Sequence, residues 1–417
     1  MLQLGAYPQV RQFDLLGSGY FLAVDTESAA TTEGAARLGR RGRRALATGT
    51  ALVVATVMPG FLAASLAPRI RADFAYGDST LGVAVALFYV VSAVCSVPAG
   101  RLVDRVGAAW GMRLSAAFTA TSCLAVGALA QSAASLTALM LIGGAGNALG
   151  GPSVSALLKG EVAVSRQGLA FGAQQAGAPT GALLSGLALP VVAIPFGWRW
   201  AFVVAAAIAL GAVACAPHAA GGAVRAGRSG PRRAGFTSVH ALGVAAVLAS
   251  AAGVGFVSFL VTYAVDNGMS EGAAGLLLAG VSLVATTSRI VLGLIADRGA
   301  QEPLRPVAAM LLASVPGYLL LTAGEPGLIA VAALLAGSLG WAWPGGLNLA
   351  VVQRSPEAPA WAVGVMMTGL FVGAVGGPLL TGFLAEHDLF ALAWIACAAL
   401  ALLAATTIAA TMRRERG

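Results

Sequence analysis

The chain has 417 residues, 58% of them hydrophobic and only 10% charged, with a mean hydropathy of +0.84. A water-facing surface takes roughly 25% charged residues, so composition argues against a soluble enzyme. It also argues against a nucleic-acid binder, because the net charge of +8 punctuates apolar segments instead of forming a basic face.

Residues 1–44 are polar and end in the run Arg37, Arg40, Arg41, Arg43 and Arg44. No short apolar core with a small-residue cleavage site precedes that run, so no cleavable signal peptide is expected, and the segment reads as a poorly ordered tail. Twelve apolar stretches of membrane-spanning length follow, at 45–66, 80–101, 112–131, 136–158, 168–194, 200–217, 239–264, 272–296, 305–323, 327–352, 361–385 and 389–412. The longest connection, 218–238, carries Arg225, Arg228, Arg232 and Arg233 and separates a six-helix bundle at 45–217 from another at 239–412. Residues 413–417 close the chain. The 55 glycines suit helices packed backbone to backbone in lipid. Cys95, Cys123, Cys215 and Cys397 all fall in apolar runs and read as small packing residues.

Sorting the basic residues sets the orientation. One side of the membrane receives 22 of them, from the tail, the central connection, the C-terminus and the loops holding Arg101, Arg105, Arg113, Lys159, Arg166, Arg298, Arg305 and Arg354, with Arg289 inside the eighth stretch. The other side receives 3, Arg69, Arg71 and Arg199. The positive-inside rule then makes both termini cytoplasmic, in a multi-pass protein of the plasma membrane.

The two halves repeat each other. Gly100-x-x-x-Asp104-Arg105 returns as Gly293-x-x-x-Asp297-Arg298 at an offset of 193, Pro152 returns as Pro344 at 192, and Gly177-Ala178-Pro179 returns as Gly376-Gly377-Pro378 at 199. Near-constant offsets indicate a duplicated six-helix unit, with the repeats parallel about the membrane normal.

These residues resemble the major facilitator superfamily. The loop Gly100-Arg101-Leu102-Val103-Asp104-Arg105-Val106-Gly107, with Arg113 after it, is similar to that family's signature between helices 2 and 3. Gly293, Asp297 and Arg298 resemble its weaker copy, and Trp198-Arg199-Trp200-Ala201-Phe202 before the sixth stretch is a frequent family feature. The resemblance covers 45–412 and implies an all-α membrane fold of twelve helices in two six-helix repeats. It also implies that Asp104 latches onto the start of helix 11, near Trp361, as an inner gate; the bland alternative is a loop cap that sets topology. Many proton-driven antiporters of the family carry an arginine in helix 4, whereas Leu139–Gly146 here holds no charge. The segment Gly168–Gly177 weakly resembles cyanate-permease-like members.

None of the 17 acidic residues and none of the three histidines falls in the middle of a stretch, so no midplane proton relay is expected. Arg289 is the exception among charged residues. It precedes Asp297 by eight positions, about 12 Å of helix, close to the centre of a roughly 30 Å hydrocarbon layer. Its guanidinium suits a carboxylate through two parallel hydrogen bonds, and Arg289-Ile290-Val291-Leu292-Gly293 resembles the Arg-x-x-x-Gly stretch of monocarboxylate and oxalate carriers, where the arginine binds the substrate anion. Snorkelling toward water, or bonding helix carbonyls, is the structural alternative. Tyr89, Asn147, Gln174, Gln175, Tyr263, Trp341, Trp343 and Asn348 are the further candidates for a cavity wall. Gln174 and Gln175 lie about 100° apart on a helix, so only one points straight inward.

The expected function is secondary active or facilitative transport of a small anionic organic solute by alternating access. A proton or a counter-anion would couple to it, with no cofactor, no metal, no nucleic-acid partner and a monomeric state. A drug efflux pump of the same superfamily is the alternative, and a non-transporting membrane sensor is a more distant one.

Overall fold

The computed structural model describes residues 39–74, 77–162, 166–214, 236–297, 302–355 and 359–415. Every element formed by them is helical, as lipid requires of a chain whose backbone groups must be paired within the segment. In chain order the spanning helices are α1 (Arg40–Ser65), α2 (Asp78–Val106), α3 (Ala108–Leu129), α4 (Ala133–Glu161), α5 (Gln167–Ala188, continuing through a π-helical turn at Leu189–Ala193 to Phe196) and α6 (Trp198–Ala214). Then come α7 (Phe236–Asp266), α8 (Glu271–Asp297), α9 (Leu304–Leu320), α10 in two pieces (Pro326–Gly340 and Pro344–Arg354), α11 (Pro359–Glu386) and α12 (Phe390–Arg414). Eleven of the spans are long and apolar enough to cross a membrane, and α6 is a shorter apolar helix.

Local sequence sets the boundaries. α2 passes to α3 through Gly107, whose φ of 85° is a left-handed conformation that glycine alone adopts without strain. α4 starts at a reciprocal cap: Ser135 N donates to Ser132 Oγ at 3.1 Å while Ser132 N donates to Ser135 Oγ at 2.9 Å. Two expectations need correction, at α1 and α10, and one further element appears between α1 and α2. The helix begins at Arg40, so Arg40, Arg41, Arg43 and Arg44 lie in α1 and not in the tail. The stretch between α1 and α2 contains a short helix, Ala67–Phe74. The tenth span is discontinuous, because the backbone leaves the helix at Trp341 and resumes only at Pro344. The tail to residue 38 and most of the connection 218–238 lie outside the described residues.

Many of the glycines are spent on helix contacts. α11 lays Gly369, Gly373 and Gly377 against the backbone of α7, where an added Cβ at Gly373 would lie 2.2 Å from the Val247 carbonyl oxygen. That oxygen belongs to a helix and cannot swing aside. Gly373→Leu should therefore force α7 and α11 apart at a cost of about 1–3 kcal/mol, the usual range for overpacking. The measurement is thermal unfolding in detergent; an unchanged midpoint would show that the two helices are not held at this distance.

Between the halves, α5 packs on α8, α2 on α11 and α1 on α7. The tightest points lie on the face away from the termini, here the far face. Gly186 and Gly275 face each other, each with a hypothetical Cβ 2.6 Å from the other's carbonyl oxygen, and one at Gly82 would lie 2.5 Å from the Pro378 carbonyl oxygen. Polar contacts cross the same face: Arg69 of the short helix pairs with Glu271 at the start of α8, and Ser79 N donates to Glu386 at 2.9 Å. Asp78 opens α2 beside them, buried and paired with Arg71.

Candidate functional site

Toward the terminal face the halves enclose a cavity of about 360 Å³, within the range of roughly 300–1,000 Å³ usual for small-molecule sites. Val53 and Val57 of α1, Leu370 and Phe371 of α11, and Val254 of α7 supply apolar wall. Phe61 and Trp341 meet edge to face across the two halves with ring centroids 5.6 Å apart. Both residues line the cavity.

Arg289 lines it as well and is only 4% exposed. Among the described residues no carboxylate pairs with it, and its three hydrogen bonds go to main-chain carbonyls. Nε donates to the Trp341 carbonyl oxygen at 3.1 Å, and one terminal amine donates to the same oxygen. The other terminal amine donates to the Gln175 carbonyl oxygen at 2.5 Å. The guanidinium also lies over the Trp341 ring, 5.3 Å from its centroid. Bonding to helix carbonyls was the alternative stated from the sequence for this arginine, and the structure shows it, though which carbonyls was not legible there. The break in α10 exposes the Trp341 carbonyl, and the negative end of the half-helix before it is a natural seat for a cation.

The other candidates divide. Tyr89, Asn147, Gln174, Gln175, Trp341 and Trp343 line the cavity with Arg289. Gln174 is spent on α4, donating to the Gly151 carbonyl at 3.2 Å and to Ser155 Oγ at 3.0 Å. Asn147 donates to Ser92 Oγ at 3.0 Å. Gln175 Nε2 and Trp343 Nε1 are buried with no hydrogen-bond partner among the described residues. Tyr263 and Asn348 are outside this lining. Tyr263 packs on Phe390 and Trp394 with centroids 5.1 and 5.0 Å away and donates its hydroxyl to the Leu321 carbonyl. Ser96, Thr56, Ser155, Ser250, Met367 and Phe371 also line it. They were missed because hydropathy reports depth in the membrane and says little about which way a helix faces.

The loop residues are at the terminal face. The expected loop is largely helical: Gly100, Asp104 and Arg105 lie in the last two turns of α2, with Asp104 and Arg105 exposed, and Arg113 lies in α3, its guanidinium stacked on Trp110 at 5.0 Å. Asp104 forms no ion pair or hydrogen bond among the described residues, and the side chains at the start of α11 expected to meet it lie outside them. Gly293 and Asp297 belong to the last turns of α8, and Arg298 lies outside the described residues. In the second half a different cluster ties helix ends. Arg354 bridges Glu302 and Glu415 at 2.8 Å each. Burial alone would lower the Arg354 pKa, but these carboxylates raise it. Burial likewise pushes Glu415 upward, yet hydrogen bonds from Arg354 and Ser238 hold it below the ordinary carboxylate value.

Twelve helices in two six-helix repeats around a central cavity define a solute transporter of the multi-pass membrane class. The family model of the Major Facilitator Superfamily matches residues 47–298 and 241–417, and the chain belongs to that superfamily. Among solved structures it is similar to a bacterial homolog of the human lysosomal transporter Spinster, inward-facing and unoccupied, with a TM-score of 0.73 and 16% identity over 90% of this chain and 97% of that one. The inward-facing, occupied form of a bacterial Spinster homolog gives a TM-score of 0.67 and 15% identity over 88% of this chain and 96% of that one. At this identity the likeness speaks for the fold. A comparison with curated proteins finds no match.

Proposed function

We propose that the protein moves a small organic anion by alternating access, with the solute bound at mid-depth between the six-helix bundles 45–217 and 239–412. The observation that carries this reading is the set of unspent donors around the cavity. Arginine has five N–H donors, and three hydrogen bonds are formed by Arg289. The buried, unpaired side-chain atoms of the lining, Gln175 Nε2 and Trp343 Nε1, are also donors. Such a set asks for an acceptor-rich, negatively charged ligand, whereas a hydrophobic cation would meet the Arg289 charge with no carboxylate to answer it. Tyr89 and Asn147 complete the polar part of the wall. The deciding experiment is counterflow in proteoliposomes with a panel of small carboxylates and inorganic anions at two pH values. Saturable exchange of a carboxylate is the expected result, and exchange of lipophilic cations alone would overturn it.

In this reading the terminal face is cytoplasmic and the protein is a monomer of the plasma membrane, coupled to a proton or a counter-anion. A cysteine introduced as Gly230→Cys in a chain without native cysteines should resist an impermeant thiol reagent added to intact cells. Labelling from outside would reverse the orientation.

The gate in this reading is the loop holding Gly100, Asp104, Arg105, Gly107 and Arg113, with Gly293, Asp297 and Arg298 as its counterpart. Asp104 bonds the start of α11 when the cavity closes toward the terminal face, and it is free while the cavity lies open there. Asp104→Asn should lower the transport rate about tenfold, the effect of losing roughly 1.4 kcal/mol from one state, with normal membrane insertion. Wild-type exchange rates in the variant would remove the gating charge from the mechanism.

A further inference from the structure

The two carbonyls that Arg289 takes are both unclaimed by their own helices. In an α-helix a carbonyl accepts from the amide four residues on. For Gln175 that position is Pro179, inside α5 and without an N–H. For Trp341 it is Gly345, beyond the break in α10. The Gln175 bond also joins the halves, because α5 belongs to the first and α8 to the second. Thr180 and Thr286, one helical turn away, face each other across the same two helices at 3.3 Å.

We infer that Pro179 is a positioning residue for Arg289: by leaving the Gln175 carbonyl without a helical donor, it gives the guanidinium a resting ligand on the opposite half. An anion that takes this N–H then unties the halves at mid-depth. This rests on the anion reading given above. The carbonyl occupies the arginine while the cavity is empty, so a buried charge is never left bare, and the solute replaces it acceptor for acceptor. Binding and release of the α5–α8 link thereby become one event. With an amide restored at position 179, the Gln175 carbonyl is satisfied within α5 and its hold on Arg289 weakens.

The test uses the full-length protein in nanodiscs, with spin labels at Gly160→Cys and Gln353→Cys after removal of the native cysteines. Both sites are exposed at the terminal-face ends of α4 and α10, one in each half. Without any anion, Pro179→Ala should shift the distance distribution in the same direction as Arg289→Gln, and the double variant should add nothing further. Acetate should move the wild type toward the Pro179→Ala distribution and leave Arg289→Gln unmoved. Acetate should also bind Pro179→Ala about 2- to 10-fold more tightly, the worth of one hydrogen bond that no longer has to be exchanged. Pro98→Ala controls for loss of a proline kink, since it restores an amide inside α2 at an exposed position outside the cavity lining. An unshifted Pro179→Ala distribution, or an equal shift in Pro98→Ala, would overturn the inference even if acetate binds. Failure of acetate and of every other carboxylate to bind the wild type would instead remove the anion reading on which it rests.

Discussion

Arg289→Gln should abolish exchange of the anion while the protein continues to insert and fold. Two or more charge-assisted hydrogen bonds, each worth about 1.5–3 kcal/mol, put the loss of affinity at 10²-fold or more. Stability should change little, because two terms oppose. Removing the arginine leaves the Gln175 and Trp341 carbonyls without their donor, at about 1–3 kcal/mol for each buried group. It also removes a buried charge whose cost is estimated at about 2.5–3.5 kcal/mol or more. Arg289→Lys keeps the charge but loses the planar fork, and one ammonium does not reproduce the span between two carbonyls on different helices. It should bind the anion markedly more weakly than the wild type. Near-normal counterflow in the glutamine variant would sink the solute role. Unfolding of both variants with residual binding intact would assign the residue to architecture alone.

The second large effect concerns the far face. Gly186→Val places side-chain atoms where the Gly275 carbonyl now lies, since even a Cβ would sit 2.6 Å from that oxygen. Both sides of this contact are helix backbone, so the strain is relieved only by separating α5 from α8. The variant should therefore disfavour the conformation described here and lose net transport at least tenfold while remaining folded. A cysteine at the cavity residue Ser96 reports the state, becoming more accessible from the far face and less so from the terminal face. Unchanged accessibility together with unchanged transport would show that closing this seam is not part of the cycle.

The number and order of the spans were legible because hydropathy over a twenty-residue window measures what lipid demands. The depth of Arg289 was legible for the same reason, since counting residues from Asp297 is a measurement along one axis. Direction around that axis was not. Gln174 and Gln175 were known to diverge, but choosing between them needed the packing of α5 on α4, which pairs Gln174 with Ser155. Tyr263 read as a cavity residue from its helix and turned out to face Phe390 and Trp394. Pro344 was legible as the repeat counterpart of Pro152, yet Pro152 stays inside a continuous helix whereas the chain before Pro344 is broken. The partners of Arg289 stayed hidden because Gln175 and Trp341 are 114 and 52 positions away in sequence. No local pattern announces a carbonyl freed in one helix and used by another.

The glycine contact of α11 with α7 has a mechanical consequence. Gly369, Gly373 and Gly377 bring these two backbones together along three successive turns, leaving no compliant side chains between them. α11 is also the helix that meets α2, and α7 the helix that meets α1. A displacement that parts α2 from α11 must therefore carry α7 with it and strain the α1 contact in the same stroke. Two lines of the boundary between the halves are borne on one stiff member, so they yield together. Opening along only one of them would have to bend that member, a stiffness built from three missing side chains.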